Sequence, residues 1–343
     1  MHKENNKVQI DNTLIENIKD IIINSRNNIV KKVNHALIAA YWQIGSEIVT
    51  NEKRKNIDNK SSRQIILSLS KYLSKELGKG FSRSNLFNMR KFFIEYPNVQ
   101  TLSGQLNWSH ICELLIINDK DKREFYEKEI VNSNWSIREL KRQTNSSLYE
   151  RILLSKGKPN KEKVLSLAKK GQLLTNPEDI IKNPYVFEFL GVPENKPLLE
   201  KDLEYKLIRH IEDFLLELGK GFMYVGSQQR VTLNNTHYYV DMVFYNKILK
   251  CYILIELKTT KLNISDAGQL NTYLNFYKTE INDVDDNPPI GIILCAEKDE
   301  ITAEYILSGL ENNVFASKFT YVLPNKEKLI EEVKIIMDDE IKS

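Results

Sequence analysis

The stretch that decides the fold is Tyr239-Val240-Asp241-Met242-Val243-Phe244-Tyr245, which is followed by Tyr252-Ile253-Leu254-Ile255-Glu256-Leu257-Lys258. Both stretches are rich in β-branched and aromatic residues, which is typical of β-strands. Because side chains alternate between the two faces of a strand, Glu256 and Lys258 leave the same face. If the chain reverses near residues 248–249, antiparallel pairing places Asp241 roughly opposite Glu256. The sequence therefore predicts two carboxylates and one ammonium group close together on a sheet.

The surrounding elements predict an α/β domain over residues 198–343. A helix is predicted at Leu199–Leu218, a first strand at Phe222–Leu233 and a second helix at Ala267–Ile281. The continuous apolar run Ile290–Cys295 is typical of a strand that is covered on both faces. We therefore expect a central mixed sheet flanked by helices, in the order helix, three strands, helix, strand.

The N-terminal half is predicted to be all-α, because its apolar residues recur at helical spacing. A helix ending near Leu77 is followed by the turn Gly78-Lys79-Gly80, and Ser82 stands where an N-cap would open a second helix. This order is typical of a helix-turn-helix-like domain. We expect a helical DNA-binding or dimerisation domain at residues 1–155, a Gly- and Pro-punctuated connector at 156–197, and the α/β domain at 198–343.

Composition excludes several classes of protein. Of the 343 residues, 41% are hydrophobic and 28% are charged, which is typical of a globular chain rather than a disordered one. No apolar run approaches the ~20 residues of a membrane span, and the polar opening lacks a secretory signal, so a cytoplasmic location is expected. The isolated cysteines Cys112, Cys251 and Cys295 support neither a disulfide framework nor a zinc site.

The predicted carboxylate and lysine cluster suggests a chemistry. Asp241 and Glu256 are costly to bury between apolar residues unless their charge is compensated, and Mg²⁺ prefers such oxygen ligands. A bound cation activates water and stabilises charge on an attacked phosphate, and Lys258 would orient or help deprotonate that water. The alternative is a buried ion-pair network without chemistry, since structural ion pairs also gather carboxylates and lysines.

The order of elements, together with Asp241 and Glu256-x-Lys258, resembles the PDDEXK nuclease superfamily. Longer strings narrow the resemblance to the YhcG-type PDDEXK nucleases; they are Tyr224–Gln228, Asp241–Tyr245, Ile255–Lys258, Ala267–Asn271 and Asn287–Cys295. The N-terminal half is similar to the helical domain of that family; the strings are Tyr41–Gly45, Gly80–Leu86 and Trp135–Leu140. Val240 stands where the name of the superfamily has Pro, which is a minor departure.

The resemblance implies roles for individual residues. Asp241 and Glu256 match the metal-binding acids, Lys258 matches the motif lysine, and Glu204 matches an additional acid beside the metal. Mg²⁺ is the implied cofactor, with Mn²⁺ able to substitute. Glu204 also fits a solvated helix position beside a lysine.

Gln269 and Tyr273 resemble the Gln-x-x-x-Tyr element of RecB-like nucleases, which lies near the active site. The two residues are four apart and so share one helix face. An amide and a phenol there would contact a phosphate or hold the lysine strand. A helix face packed on the sheet is the alternative, since a buried tyrosine commonly seeks one polar partner.

Positive charge is concentrated in the N-terminal half. Residues 51–100 carry 11 Lys and Arg against 4 Asp and Glu, whereas residues 251–343 carry 9 against 17. The candidate nucleic-acid-binding residues are Lys71, Lys75, Lys79, Arg83, Arg90 and Lys91. Such side chains would neutralise phosphates and make binding salt-dependent. An ordinary basic surface or a dimerisation platform fits the same pattern.

The sequence thus favours a Mg²⁺-dependent endonuclease whose substrate is nucleic acid, with DNA preferred, acting in repair or in defence against foreign DNA. A homodimer would suit double-strand cleavage. Two alternatives remain open. One is a catalytically silent, regulatory DNA-binding protein with a PDDEXK fold, and the other is a nuclease directed at RNA, such as tRNA.

Overall fold

The fold is that of a computed structural model, which describes residues 12–102, 104–155, 161–193, 198–310 and 313–333. The chain forms two compact units, Met1–Asp119 and Lys120–Ser343. The first unit is helical, and the second combines helices with a β-sheet.

The described part of the first unit contains four α-helices, namely α1 (Asn12–Arg54), α2 (Asn59–Leu77), α3 (Arg83–Glu95) and α4 (Trp108–Leu114). Two of them begin at residues that cap a helix well. Asp58 accepts a hydrogen bond from the backbone N–H of Ser61 (3.0 Å), and Ser82 accepts one from Asn85 (3.3 Å). A short turn therefore separates α2 from α3, as the glycines predict.

Helices α1 and α3 approach each other closely at Gly45. A Cβ atom at this position would lie 2.1 Å from the carbonyl oxygen of Met89, which is too close for any side chain. Met89 itself is fully buried, in a cluster with Ile48, Ile66 and Leu86. The glycine of α1 therefore permits the helix crossing that forms the core of the first unit.

Among its described residues the second unit carries six strands, eight further α-helices and a helical segment near its C-terminal end. The helices are α5 (Lys120–Ser133), α6 (Ile137–Asn145), α7 (Leu148–Ser155), α8 (Lys161–Lys170), α9 (Glu200–Arg209), α10 (Ile211–Leu218), α11 (Ile264–Phe276) and α12 (Glu300–Leu307). The strands are β1 (Tyr185–Val186), β2 (Phe222–Leu233), β3 (Thr236–Asn246), β4 (Cys251–Lys261), β5 (Ile290–Glu297) and β6 (Asn313–Thr320). A π-helical turn, Tyr277–Ile281, extends α11, and residues 326–333 are helical.

The six strands form one mixed sheet in the order β1-β6-β5-β4-β3-β2. Strand β3 is antiparallel to both of its neighbours, β2 and β4, whereas β4, β5, β6 and β1 run parallel to one another. Helices cover both faces of the sheet. Leu203, Leu207 and Phe214 of α9 and α10 pack on one face, and Leu270 and Leu274 of α11 pack on the other. The predicted fold class, a helical N-terminal region followed by a mixed sheet with flanking helices, is confirmed.

A buried charge cluster lies beside the sheet in the second unit. Glu217 of α10 is fully buried and accepts hydrogen bonds from Arg151 Nη1 at 2.5 Å and from Arg142 Nη1 at 3.2 Å. The ammonium group of Lys182, also buried, donates to the backbone carbonyl of Glu217. Burial alone would raise the pKa of Glu217, but the charges of Arg151, Lys182 and Arg142 lower it to about 2. Helices α6 and α7 are thereby linked to α10 by ion pairs.

Two secondary-structure elements differ from the sequence prediction. The helix predicted over Leu199–Leu218 is divided at His210, whose backbone (φ −110°, ψ 37°) is not helical. Within the predicted connector, Tyr185 and Val186 form β1, which pairs with β6. None of the described helices is long and apolar enough to cross a membrane.

Candidate functional site

Asp241 and Glu256 meet where strands β3 and β4 begin to separate. The last paired residues of the two strands are Met242 and Ile255, and Asp241 and Glu256 are the next residue on each strand. The backbone N–H of Asp241 donates to Glu256 Oε1 at 3.4 Å, and that of Leu257 donates to Asp241 Oδ2 at 2.9 Å. The two carboxylates therefore lie next to each other on adjacent strands.

The two carboxyl groups occupy an environment that is unfavourable for negative charge. Glu256 is only 2% exposed. Burial, and then the neighbouring charge of Asp241, raise the pKa of Glu256 to about 8 against the opposing effect of Lys258. Burial also raises the pKa of Asp241, although the hydrogen bond from Leu257 opposes this shift. Without further positive charge, the pair resists full ionisation.

Lys258 lies beside this pair and also contacts helix α9. Its Nζ atom is 3.9 Å from Glu256 Oε2 and 3.7 Å from Glu200 Oε2. The other oxygen of Glu200 accepts a hydrogen bond from the backbone N–H of Thr259 at 3.3 Å. Sequence reasoning missed Glu200; the available signal was its spacing of four residues from Glu204 on the same helix face.

Glu204 is connected to Asp241 through Gln228 of strand β2. The Nε2 atom of Gln228 donates to Glu204 Oε2 at 2.8 Å and to Asp241 Oδ1 at 3.3 Å. Burial, and then the charge of Asp241, raise the pKa of Glu204. Gln228 has a left-handed backbone (φ 46°), which is uncommon for a residue other than glycine. These side chains border a cleft of about 570 Å³.

Gln269 and Tyr273 lie on α11, which packs on the opposite face of the sheet from α9. The amide of Gln269 donates to the phenol oxygen of Tyr273 at 2.8 Å. Tyr273 is buried, and burial raises its pKa; the Gln269 hydrogen bond opposes the shift, whereas the charges of Glu256 and Asp241 add to it.

The carboxylate oxygens of Asp241 and Glu256 are candidate ligands for a metal ion. Within the part of the chain that the structure describes, no three His, Cys, Asp or Glu side chains form a group that could hold a metal ion. Asp241 and Glu256 nevertheless fit a hard divalent cation, because both present carboxylate oxygens and both have pKa values raised by burial. A cation at this pair would favour the ionised form of each.

The six basic candidates in the first unit differ in their surroundings. Arg90 forms an ion pair with Glu52 at 2.8 Å, and Lys91 donates to the carbonyl oxygen of Leu115 at 2.5 Å. The other four side chains are exposed; they are Lys71, Lys75, Lys79 and Arg83. Arg83 also lies over the ring of Phe87, 5.7 Å from its centroid. Arg90 and Lys91 therefore join elements of the first unit, whereas the other four are available to an external partner.

Both halves of the chain match known protein families. Residues 178–334 match the YhcG PDDEXK nuclease domain, and residues 17–151 match the DUF1016 N-terminal domain. The chain is 35% identical over 350 residues to the YhcG protein of Escherichia coli (strain K12), and the alignment covers 93% of this chain and 92% of that protein.

Two solved structures are more distantly similar. A repair endonuclease from Pyrococcus abyssi is 16% identical over 39% of this chain and 50% of that chain, with a TM-score of 0.25. EndoMS in its dsDNA2 complex is 16% identical over 39% of this chain and 51% of that chain, with a TM-score of 0.27. The match thus spans about half the length of each of these structures.

Proposed function

Because this chain belongs to the YhcG-type PDDEXK nuclease family, we propose that it is a divalent-metal-dependent endonuclease that hydrolyses phosphodiester bonds in DNA. Mg²⁺ is the proposed cation, with Mn²⁺ able to replace it. The proposed biological role is repair or defence against foreign DNA. The cytoplasmic location expected from the sequence is part of the same proposal.

The observation that carries the proposal is the convergence of Asp241, Glu256 and Lys258 where strands β3 and β4 separate. Asp241 and Glu256 would hold the cation, and Glu204, which shares the Gln228 amide with Asp241, would assist. When bound, the cation would polarise the scissile phosphate and activate a water molecule.

The remaining chemistry is assigned to side chains of the chain itself. Lys258 would orient the attacking water as an ammonium group, or accept its proton as a neutral amine. The water oxygen would bond to phosphorus as the phosphorus–oxygen bond to the leaving strand breaks, and solvent would protonate the leaving oxygen. Gln269 would hold the Tyr273 phenol in place beside this pair. The phenol and amide would then contact the phosphate or support the Lys258 strand.

For the helical region we propose nucleic-acid docking and a homodimer. Exposed Lys71, Lys75, Lys79 and Arg83 would neutralise phosphates in the manner of a helix-turn-helix domain. Arg90 and Lys91 would support these residues indirectly by holding α3 in place. A dimer would supply the two sites that cleavage of both strands needs.

The test is cleavage of supercoiled plasmid, linear duplex, single-stranded and branched DNA, and tRNA, in Mg²⁺, Mn²⁺ or EDTA. We expect metal-dependent cleavage of DNA that Asp241→Asn and Lys258→Ala both abolish. The matched controls are Asp285→Asn and Lys278→Ala, which change exposed residues of the same unit. Cleavage confined to tRNA would reassign the substrate to RNA. Binding without cleavage under every condition would favour the silent DNA-binding protein.

A further inference from the structure

Helix α9 carries two neighbouring ridges of opposite chemistry. Glu200 and Glu204, four residues apart, form the acidic ridge that reaches Lys258 and Asp241. The residues that follow each of them, Lys201 and Tyr205, begin a second ridge that Arg209 continues. Because successive residues on an α-helix differ by about 100° in direction, the two ridges lie side by side along α9. The second ridge is therefore basic and aromatic, directly beside the acids.

The second ridge borders the same cleft as the acids. Lys201 and Tyr205 line the cleft together with Glu204 and Asp241, and the charge of Lys201 acts on Glu204. From Lys201 to Arg209 the ridge is about 12 Å long, at ~1.5 Å per residue. A polyanion that places one phosphate near the acids would thus meet this ridge next.

Tyr205 is exposed enough to stack on a base, and a cation lies against its ring. The side chain is 56% exposed. The guanidinium carbon of Arg209 lies 4.9 Å from the centroid of its ring, within the range of a cation–π contact. This contact holds the tyrosine ring against one cation and leaves much of its surface open to solvent.

We propose that Lys201, Tyr205 and Arg209 bind an unpaired stretch of the DNA substrate next to the scissile phosphate. A base would stack on Tyr205, and the phosphates on either side would be neutralised by Lys201 and Arg209. The faces of a base inside a duplex are covered by its neighbours, so a stacking tyrosine selects unpaired nucleotides. The inference rests on the proposed nuclease function and narrows its substrate to DNA with single-stranded character beside the cut.

The test measures binding of the full chain to oligodeoxynucleotides in EDTA, where no metal-dependent cleavage occurs. A single-stranded oligonucleotide containing 2-aminopurine reports stacking by fluorescence quenching, and a fully paired duplex of the same sequence serves as the comparison. The variants are Tyr205→Ala, Tyr205→Phe and Arg209→Ala. The matched control is Tyr305→Ala, because Tyr305 is an 80% exposed tyrosine on α12.

We expect Tyr205→Ala to weaken binding of the single strand by about 5- to 150-fold, the equivalent of ~1–3 kcal/mol for one base–aromatic stack. Tyr205→Phe should keep the affinity and the quenching, since the ring stacks without its hydroxyl. Arg209→Ala should weaken binding and reduce its salt dependence. Binding of the duplex should change less than about twofold in Tyr205→Ala, and circular dichroism should show unchanged folding because the side chain is exposed.

Three outcomes would overturn the inference. They are wild-type affinity of Tyr205→Ala for the single strand, an equal loss for single strand and duplex, and a loss confined to RNA oligonucleotides. This binding test is independent of cleavage. If Asp241→Asn abolishes cleavage while Tyr205→Ala has no effect on binding, only the stacking inference fails. If no DNA is cleaved but the Tyr205 effect is present, only the proposed nuclease function fails.

Discussion

Replacing Glu217 with Gln should destabilise the second unit more than any comparable change at an exposed acid. The carboxylate is fully buried and is shared by Arg151 and Arg142. Arg151 is itself fully buried; its other hydrogen bonds go to the Ser146 backbone carbonyl and side-chain hydroxyl and to the carbonyl of Pro184. An amide at position 217 keeps the shape but leaves these cations without their carboxylate.

The ion pairs of Glu217 contribute a few kcal/mol to the stability of the second unit. The fall in the pKa of Glu217 from its usual 4.5 to about 2 corresponds to ~3 kcal/mol of stability at neutral pH. Removing one partner from a buried ion pair typically costs about 3–5 kcal/mol. Because the pKa is lowered in the folded state, this contribution is complete above pH 4.5 and is lost as the pH falls towards 2.

Urea denaturation monitored by tryptophan fluorescence provides the assay, since Trp135 lies in this unit and is only 8% exposed. We expect Glu217→Gln to lower the free energy of unfolding by about 3–5 kcal/mol at pH 7. The variant should also lack the part of the stability loss below pH 4.5 that comes from protonation of Glu217. Glu212→Gln makes the same change at an exposed position of α10 and should cost less than ~0.5 kcal/mol. If the two variants differ by less than ~1 kcal/mol, the ion-pair argument is refuted.

Three further predictions concern other parts of the molecule. Gly45→Ala should destabilise the first unit by about 1–3 kcal/mol, because the added methyl group meets the backbone of α3; Gly268→Ala, where nothing lies within 4 Å, should instead stabilise by up to ~1 kcal/mol in thermal denaturation. Since the pKa of Glu256 is raised to about 8, its contribution to stability should be lost as the pH rises from 4.5 to 8. Affinity for Mg²⁺ should rise over the same range with release of a proton, measured by calorimetry in two buffers, and Glu256→Gln should remove that release. Lys75→Ala should reduce the salt dependence of DNA binding without changing stability, whereas Arg90→Ala should lower the melting temperature because it removes the cation beside the largely buried Glu52.

The sequence was sufficient for those features that depend on local periodicity. The strand pattern predicted Asp241 close to Glu256, and the two residues share a hydrogen bond. Helical spacing correctly indicated an all-helical N-terminal region. The family resemblance was confirmed by the domain matches and by the similarity along most of the chain. Such patterns can be recognised without knowledge of the tertiary structure because they repeat every few residues.

Features that depend on distant contacts could not be predicted in this way. The ion pairs of Glu217 join it to Arg151 and Arg142, 66 and 75 residues away in sequence, so no pattern linked α6 and α7 to the second unit. The boundary at residue 155 remains a prediction, while the first compact unit of the structure ends at Asp119. The contact of Glu200 with Lys258 was equally hidden because it joins α9 to β4, and no pattern in the sequence indicated the left-handed backbone of Gln228.

The irregular backbone of β2 affects more than the site. This strand lies at one end of the sheet, is twelve residues long and pairs only with β3 in the described structure, so its outer edge resembles a template for another chain. A β-bulge between Tyr224 and Gly226 and the left-handed Gln228 interrupt the row of edge N–H and C=O groups. The same distortion that presents the Gln228 amide to Glu204 and Asp241 therefore also discourages edge-to-edge aggregation, so that solubility and site geometry depend on one short stretch of backbone.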